Sequence, residues 1–138
     1  MNVSRRDLTF LLPALLAAKA SAQSPELPSK VYNYSDLPVR ASGANRQRPV
    51  FEGATHTGFI VEIHETELAP DQMPHPGHSH VHEEMLILRA GSLEVTIEGQ
   101  STRLEPGSVA YVASNEEHGW RNVGTTPARY YVIGLGGA

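Results

Sequence analysis

The chain contains no cysteine. That absence excludes disulfides, thiolate metal ligands, iron–sulfur clusters, a lipid-modified cysteine at a signal cleavage site, and nucleophilic thiol chemistry. Serine-triad, phosphate-loop and dinucleotide-binding patterns are missing as well. Beyond the first residues no segment of useful length has a helical period, and no apolar run is long enough for a permanent membrane span. There is no basic stripe and no interleaving of aromatic with basic side chains, which argues against nucleic acid or an anionic membrane as partner. Arg89, Arg103, Arg121 and Arg129 are spread singly, with no sign of a phosphate or carboxylate clamp.

What is present begins with a targeting pattern. Ser4-Arg5-Arg6-Asp7-Leu8-Thr9-Phe10 resembles a twin-arginine export signal. An apolar run from Leu8 to Ala18 follows, and Ala20-Ser21-Ala22 forms an Ala-x-Ala cleavage site before Gln23. Lys19 suits the basic region before cleavage that this route favours. The alternative is an amphipathic N-terminal helix. Residues 1–22 are therefore expected to be a signal peptide, and the mature protein, 23–138, to be periplasmic or secreted in a bacterium, with no membrane contact after cleavage. Removing Arg5, Arg6, Lys19 and Asp7 leaves 8 basic against 14 acidic residues, a formal charge of −6. The remaining 116 residues suffice for one domain with a real core.

Residues 23–56 read as a leader: Pro25, Pro28, Pro38 and Pro49 interrupt any periodicity, and only short extended pieces near Val31–Tyr34 and Pro49–Phe51 could add edge strands. From 57 to 138 the pattern is strand after strand. Phe59, Val61 and Ile63 alternate with more polar neighbours up to about Leu68. Met85-Leu86-Ile87-Leu88 is apolar on both faces, as a central strand should be. Ala90-Gly91-Ser92 turns the chain into Leu93–Glu98, and Gly99-Gln100 reads as a two-residue hairpin turn. Ser101–Leu104, Ser108–Val112, His118–Val123 and Ala128–Ile133 complete about eight short strands. Such a series predicts an all-β sandwich or barrel in a single domain.

The chemistry concentrates in His78-Ser79-His80-Val81-His82-Glu83-Glu84 and the distant His118. In extended chain, alternate side chains share a face, so His78, His80 and Glu84 can aim at one point, with His118 arriving from a neighbouring strand. Three imidazoles and a carboxylate suit Mn, Fe, Co, Ni, Cu or Zn better than Ca or Mg. The competing reading is a solvated His-rich loop that binds metal adventitiously.

His78-x-His80-x-x-x-Glu84, followed after six residues by Gly91, resembles the first motif of the cupin superfamily. Ala113-Ser114-Asn115-Glu116-Glu117-His118-Gly119-Trp120-Arg121-Asn122 is similar to its second motif, Pro-x-Gly-x-x-His-x-x-x-Asn, with the His and Asn matched. Gln72, Ala113 and Asn115 stand where Gly, Pro and Gly are usual; all three are turn positions, and Asn tolerates the left-handed conformation that Gly supplies. The resemblance spans roughly 57–135. It implies the cupin double-stranded β-helix (a jelly-roll barrel), one divalent transition metal (Mn, Fe, Ni, Cu or Zn) on His78, His80, Glu84 and His118, and a homodimer.

Around that site, His82 is read as a residue at its rim or plain surface, and Glu83 as the neighbour with which Glu84 could be confused by one register. His75 sits in the approaching loop and either gates the mouth or is solvated; His56 and His64 are read as surface positions. Trp120 and Asn122 share the parity of His118, and with Tyr111 they are candidates to line the cavity, Trp120 being equally readable as core. Glu84, His82 and Tyr111 are the candidates for proton transfer. Two classes of function stay open: a metal-dependent enzyme on a small chelating substrate, either an oxygen-dependent, dioxygenase-like oxidoreductase or an isomerase or lyase, and a non-catalytic periplasmic module that binds metal or a small ligand.

Overall fold

The computed structural model describes residues 23–136; the expected export signal, 1–22, lies outside the described residues. Alternation along the last strand shows how the chain is organised. From Ala128 to Leu135, every second residue (Ala128, Tyr130, Val132, Gly134) is buried and the others are partly or fully exposed. A strand with this pattern lies in a sheet with one face packed on a core.

Nine strands form. They are β1 (Arg40–Ser42), β2 (Asn45–Ala54), β3 (Ile60–Leu68), β4 (Glu83–Ala90), β5 (Leu93–Ile97), β6 (Gln100–Leu104), β7 (Val109–Val112), β8 (His118–Asn122) and β9 (Ala128–Leu135). They make a six-stranded sheet in the order β1-β2-β3-β9-β4-β7 and a three-stranded sheet in the order β6-β5-β8, with antiparallel pairing between named strands throughout. The expected jelly-roll arrangement is therefore present. Between the sheets lie Leu68, Leu86, Leu88, Leu93, Val95, Leu104, Trp120, Ala128, Tyr130 and Val132, all buried.

Three local findings differ from expectation. The leader supplies more than edge pieces: β2 is ten residues long, pairs with β3, and absorbs Pro49 at a register shift, where the missing N–H costs the ladder least. The β5–β6 hairpin turns at Glu98-Gly99, one residue earlier than the sequence suggests; both have positive φ (46° and 77°), which matches the twist of the flanking strands. Arginines that look isolated in sequence converge on the outer face of the large sheet. Arg48 pairs with the fully buried Glu65 at 2.9 Å, with Arg89 at 3.9 Å from the same carboxylate, while Arg46 and Arg129 reach Glu67 at 3.8 and 3.5 Å. The Tyr34 ring covers Arg48 and Arg89, so the leader lies across this face.

Two turns hold the future site in place. Gly91 has φ 83°, and a Cβ there would meet Ala128 Cα at 2.8 Å and Pro127 O at 2.9 Å, so the β4–β5 turn admits no side chain. Asn115 adopts φ 64° before β8, as its substitution for Gly requires.

Candidate metal centre

The site forms where the loop between β3 and β4 crosses the start of β8. His78 and His118 exchange both backbone hydrogen bonds, at 3.0 and 2.8 Å, and the Asn115 N–H donates to the His80 carbonyl at 2.8 Å. Only His78 makes a strand-like bridge there, and β4 begins at Glu83. The ligand pattern is thus presented by a loop pinned to β8 and not by one continuous strand.

One potential ligand atom from each of His78, His80, Glu84 and His118 lies within 4.8 Å of the other three. His118 is 2 % exposed, His80 and Glu84 are half-buried, and His78 opens to solvent. The hydrogen bonds fix the tautomers. His80 Nδ1 donates to the His82 carbonyl at 2.8 Å, and His118 Nδ1 donates to the Glu116 carbonyl at 2.9 Å. A neutral imidazole so engaged turns a lone pair on Nε2 towards the centre. These lone pairs face the Glu84 carboxylate, His118 Nε2 at 3.1 Å from Oε2 and His80 Nε2 at 3.4 Å from Oε1. Lone pairs opposed at such distances repel one another, and a cation bound between them would relieve that repulsion. Ligands about 2.1 Å from a metal and at right angles are separated by about 3 Å, so the spacing suits one ion.

His80 Nε2 is buried and has no hydrogen-bond partner among the described residues. An orphaned buried acceptor costs roughly 1–3 kcal/mol unless something binds it. Burial, followed by the nearby His75, His118 and His80, pushes the His78 pKa down from its ordinary value, against the opposing pull of Glu84. His78 therefore stays neutral, and able to bind a metal, to lower pH than a free imidazole. The donor set fits a single transition-metal ion.

The neighbouring candidates separate clearly. His82 stacks flat on His80, with centroids 3.6 Å apart and planes within 3°, and its Nε2 lies 3.7 Å from Glu84 Oε1. His75 stacks on His78 at 4.1 Å and meets the Trp120 edge at 5.8 Å. Trp120 is buried core that also forms one wall of the site: it lies 6.1 Å from the His118 ring and donates its indole N–H to Tyr130 Oη at 2.9 Å. Glu83 faces away from Glu84, on the side of the sheet that carries Tyr111.

Three readings need correction. Tyr111 pairs with Met85 on the outer face of the large sheet and is 50 % exposed, so it neither lines the cavity nor can transfer a proton there. Its hydroxyl pKa is raised by the hydrogen bond to Glu83. Asn122 is fully buried but spends its side chain on structure. It donates to the Leu68 and Thr126 carbonyls at 2.8 and 2.9 Å and accepts from Gly124 N–H at 2.9 Å. His64 faces the barrel interior and bonds Glu62 at 2.7 Å, whereas His56 is on the surface. The alternation Phe59, Val61, Ile63 hid this, because the outer face of β3 is itself largely covered, first by Val61 and Ile63 and then by the ion-paired Glu65 and Glu67, and only its ladder partners reveal which side is in.

The family described as Cupin domain matches residues 64–134. No curated protein matches the sequence significantly. Among solved structures, an RmlC-like cupin from Shewanella frigidimarina is 15% identical with a TM-score of 0.64, covering 79% of this chain and 93% of that one. KdgF from Halomonas sp. is 14% identical with a TM-score of 0.66 over 78% and 94% of the two chains. The polyketide cyclase RemF from Streptomyces resistomycificus is 18% identical with a TM-score of 0.61 over 77% and 78%. At these identities the likeness establishes fold.

Proposed function

The chain belongs to the cupin family, and on that premise we propose that it is an exported protein holding one divalent transition metal (Mn, Fe, Ni, Cu or Zn) on His78, His80, Glu84 and His118, and acting on a small chelating substrate. The reaction classes that fit are an oxygen-dependent, dioxygenase-like oxidation and an isomerase or lyase step. The observation that carries the reading is the convergence of the four ligand atoms within 4.8 Å of one another, with His80 Nε2 buried and unpaired.

A bound ion of this kind supplies Lewis acidity that acidifies a coordinated hydroxyl or stabilises an enolate. The chain's own groups do the rest. The carbonyls of His82 and Glu116 orient two imidazoles, and orientation of this kind is worth roughly 10–100-fold in metal affinity. Glu84 offsets one positive charge. His82, stacked on His80 and near the Glu84 carboxylate, is placed to hold a proton at its Nε2. The Trp120 wall keeps water from one side of His118.

Elemental analysis of protein exported through its own signal, and purified without chelator or added metal, tests this. About one transition-metal ion per chain is expected, lost in His80→Ala. A substoichiometric mixture of metals would overturn the reading, and tight reversible ligand binding without turnover would favour a non-catalytic binding module. Export is proposed from the sequence, and replacing Arg5 and Arg6 together by Lys is expected to retain the protein in the cytoplasm. A homodimer is proposed through the outer face of the large sheet, where Val109 and Tyr111 are exposed at edge strand β7. Light scattering that gives the mass of one chain would refute it.

A further inference from the structure

Glu62 and His64 are two residues apart on β3, so their side chains share a face. The register puts that face inside the barrel. Glu62 stands opposite Gly134 on β9, and Gly134 stands opposite Glu84 on β4. One pair deeper, His64 stands opposite Val132, and Val132 opposite the core residue Leu86. The Glu62–His64 pair therefore lies level with the metal-binding carboxylate, two strands away, and the residue between them has no side chain. The point where a Gly134 Cβ would stand is 3.7 Å from Glu62 Oε2 and 3.7 Å from His82 Cδ2. Across Gly134 the Glu62 carboxylate and the His82 ring therefore face one another with no side chain between them.

The pair has the form of an acid–base device. His64 Nδ1 lies 2.7 Å from Glu62 Oε1. An ionised carboxylate only accepts, so Nδ1 carries the proton and donates it, and Nε2 is left with a lone pair. The two side chains are 20 % and 35 % exposed, so both are sheltered while solvent still reaches them. Packing alone does not call for an inward His and Glu here: the next inward residues of the same strand, Thr66 and Leu68, are buried, and Leu68 belongs to the core.

We propose that His64, oriented by Glu62, takes a proton from and returns it to a substrate seated over Gly134, between this pair and the metal centre. The substrate class is a small hydroxy-carbonyl, enediol or catechol, which can chelate at one end while offering an acidic hydroxyl. The inference rests on the proposed chelation at His78, His80, Glu84 and His118. In the step, the substrate O–H bond breaks, its electron pair stays on oxygen, and the proton passes to His64 Nε2. The imidazolium so formed keeps its Nδ1–H donated to Glu62, whose charge stabilises it. His64 is thereby a catalytic residue and Glu62 a positioning residue.

The test uses metal-loaded exported protein and 4-nitrocatechol, a chelating probe whose visible absorption reports its ionisation. Calorimetric titration near neutral pH, in buffers of different ionisation enthalpy, counts the protons released on binding. Wild type is expected to retain a probe proton, and His64→Asn to release about one more proton to the buffer per probe bound, at unchanged metal content. Glu62→Gln is expected to shift the count in the same direction. Equal release by wild type and both variants, with the probe bound and metal intact, overturns the inference and leaves the chelation reading standing. Failure of metal-loaded wild type to bind the probe overturns both. If His64→Asn does not fold, Glu62→Gln decides by the same count, and metal loss in both variants refutes the assignment by giving the pair a role in holding the metal.

Discussion

Replacing Asn122 by Ala should cost the fold about 3–4 kcal/mol without acting through the metal centre. The side chain closes three hydrogen bonds at 2.8–2.9 Å, tying β8 to the end of β3 and to the turn before β9. Each is worth about 1 kcal/mol net, and leaving the Leu68 and Thr126 carbonyls and the Gly124 N–H without partners adds a part of their desolvation cost. In a domain of this size such a loss lowers Tm by roughly 10 °C or more. Asn122→Asp discriminates further. It keeps the acceptor for Gly124 N–H but turns carboxylate oxygens on two carbonyls, so at neutral pH it should be less stable than the Ala variant. Its folded-state pKa would be raised, so lowering the pH should restore stability as the carboxyl protonates and donates again. Urea and thermal unfolding of the three proteins, from neutral to acid pH, measure this. An Ala variant within about 1 kcal/mol of wild type, or an Asp variant more stable than Ala at neutral pH, would refute the reasoning. A cavity-lining Asn would show the opposite pattern, with ligand binding lost at full stability.

Other expectations follow from the same geometry. Glu84→Gln should weaken metal binding by roughly 10-fold or more while Glu83→Gln changes it little, read by competition with a chromophoric chelator; the reverse order would move the ligand by one register. Burial pushes the Tyr130 hydroxyl up to about 12 from an ordinary 10.0. The unfolded chain then loses this proton first, so stability should fall by about 2–3 kcal/mol between pH 10 and 12, and Tyr130→Phe should remove that part of the alkaline limb. Gly91→Ala should cost about 2–4 kcal/mol, from its left-handed backbone and the overlap with Pro127 and Ala128; a variant as stable as wild type would show that the turn can move.

The β-strand content and the metal ligands were legible because each rests on spacing along the chain. Alternation such as Leu93-x-Val95-x-Ile97 marks strands wherever they pack, and His78, His80, Glu84 and His118 carry a pattern that survives changes at Gln72, Ala113 and Asn115. Parity was a poorer guide to the remaining site residues. His118, Trp120 and Asn122 share one inward face, yet Trp120 meets the histidines while Asn122, further along β8, meets only backbone. Tyr111 shares a strand with inward-facing Val112 and Ala110, and only the pairing of Met85 with Tyr111 puts its hydroxyl outside. His64 was missed for the converse reason, since β3 is covered on both faces and its alternation does not say which is the core.

By itself, then, the chain's order of residues determined which segments extend, where they turn, and which four side chains can share an ion, because these depend on neighbours a few positions apart and on donor chemistry. Only the tertiary structure decided that Glu62 and His64 look across Gly134 towards Glu84, that four dispersed arginines gather on Glu65 and Glu67, and that Asn122 is a tie and not a wall. Those outcomes depend on sheet register between strands dozens of residues apart, where a shift of one residue turns every side chain to the opposite face.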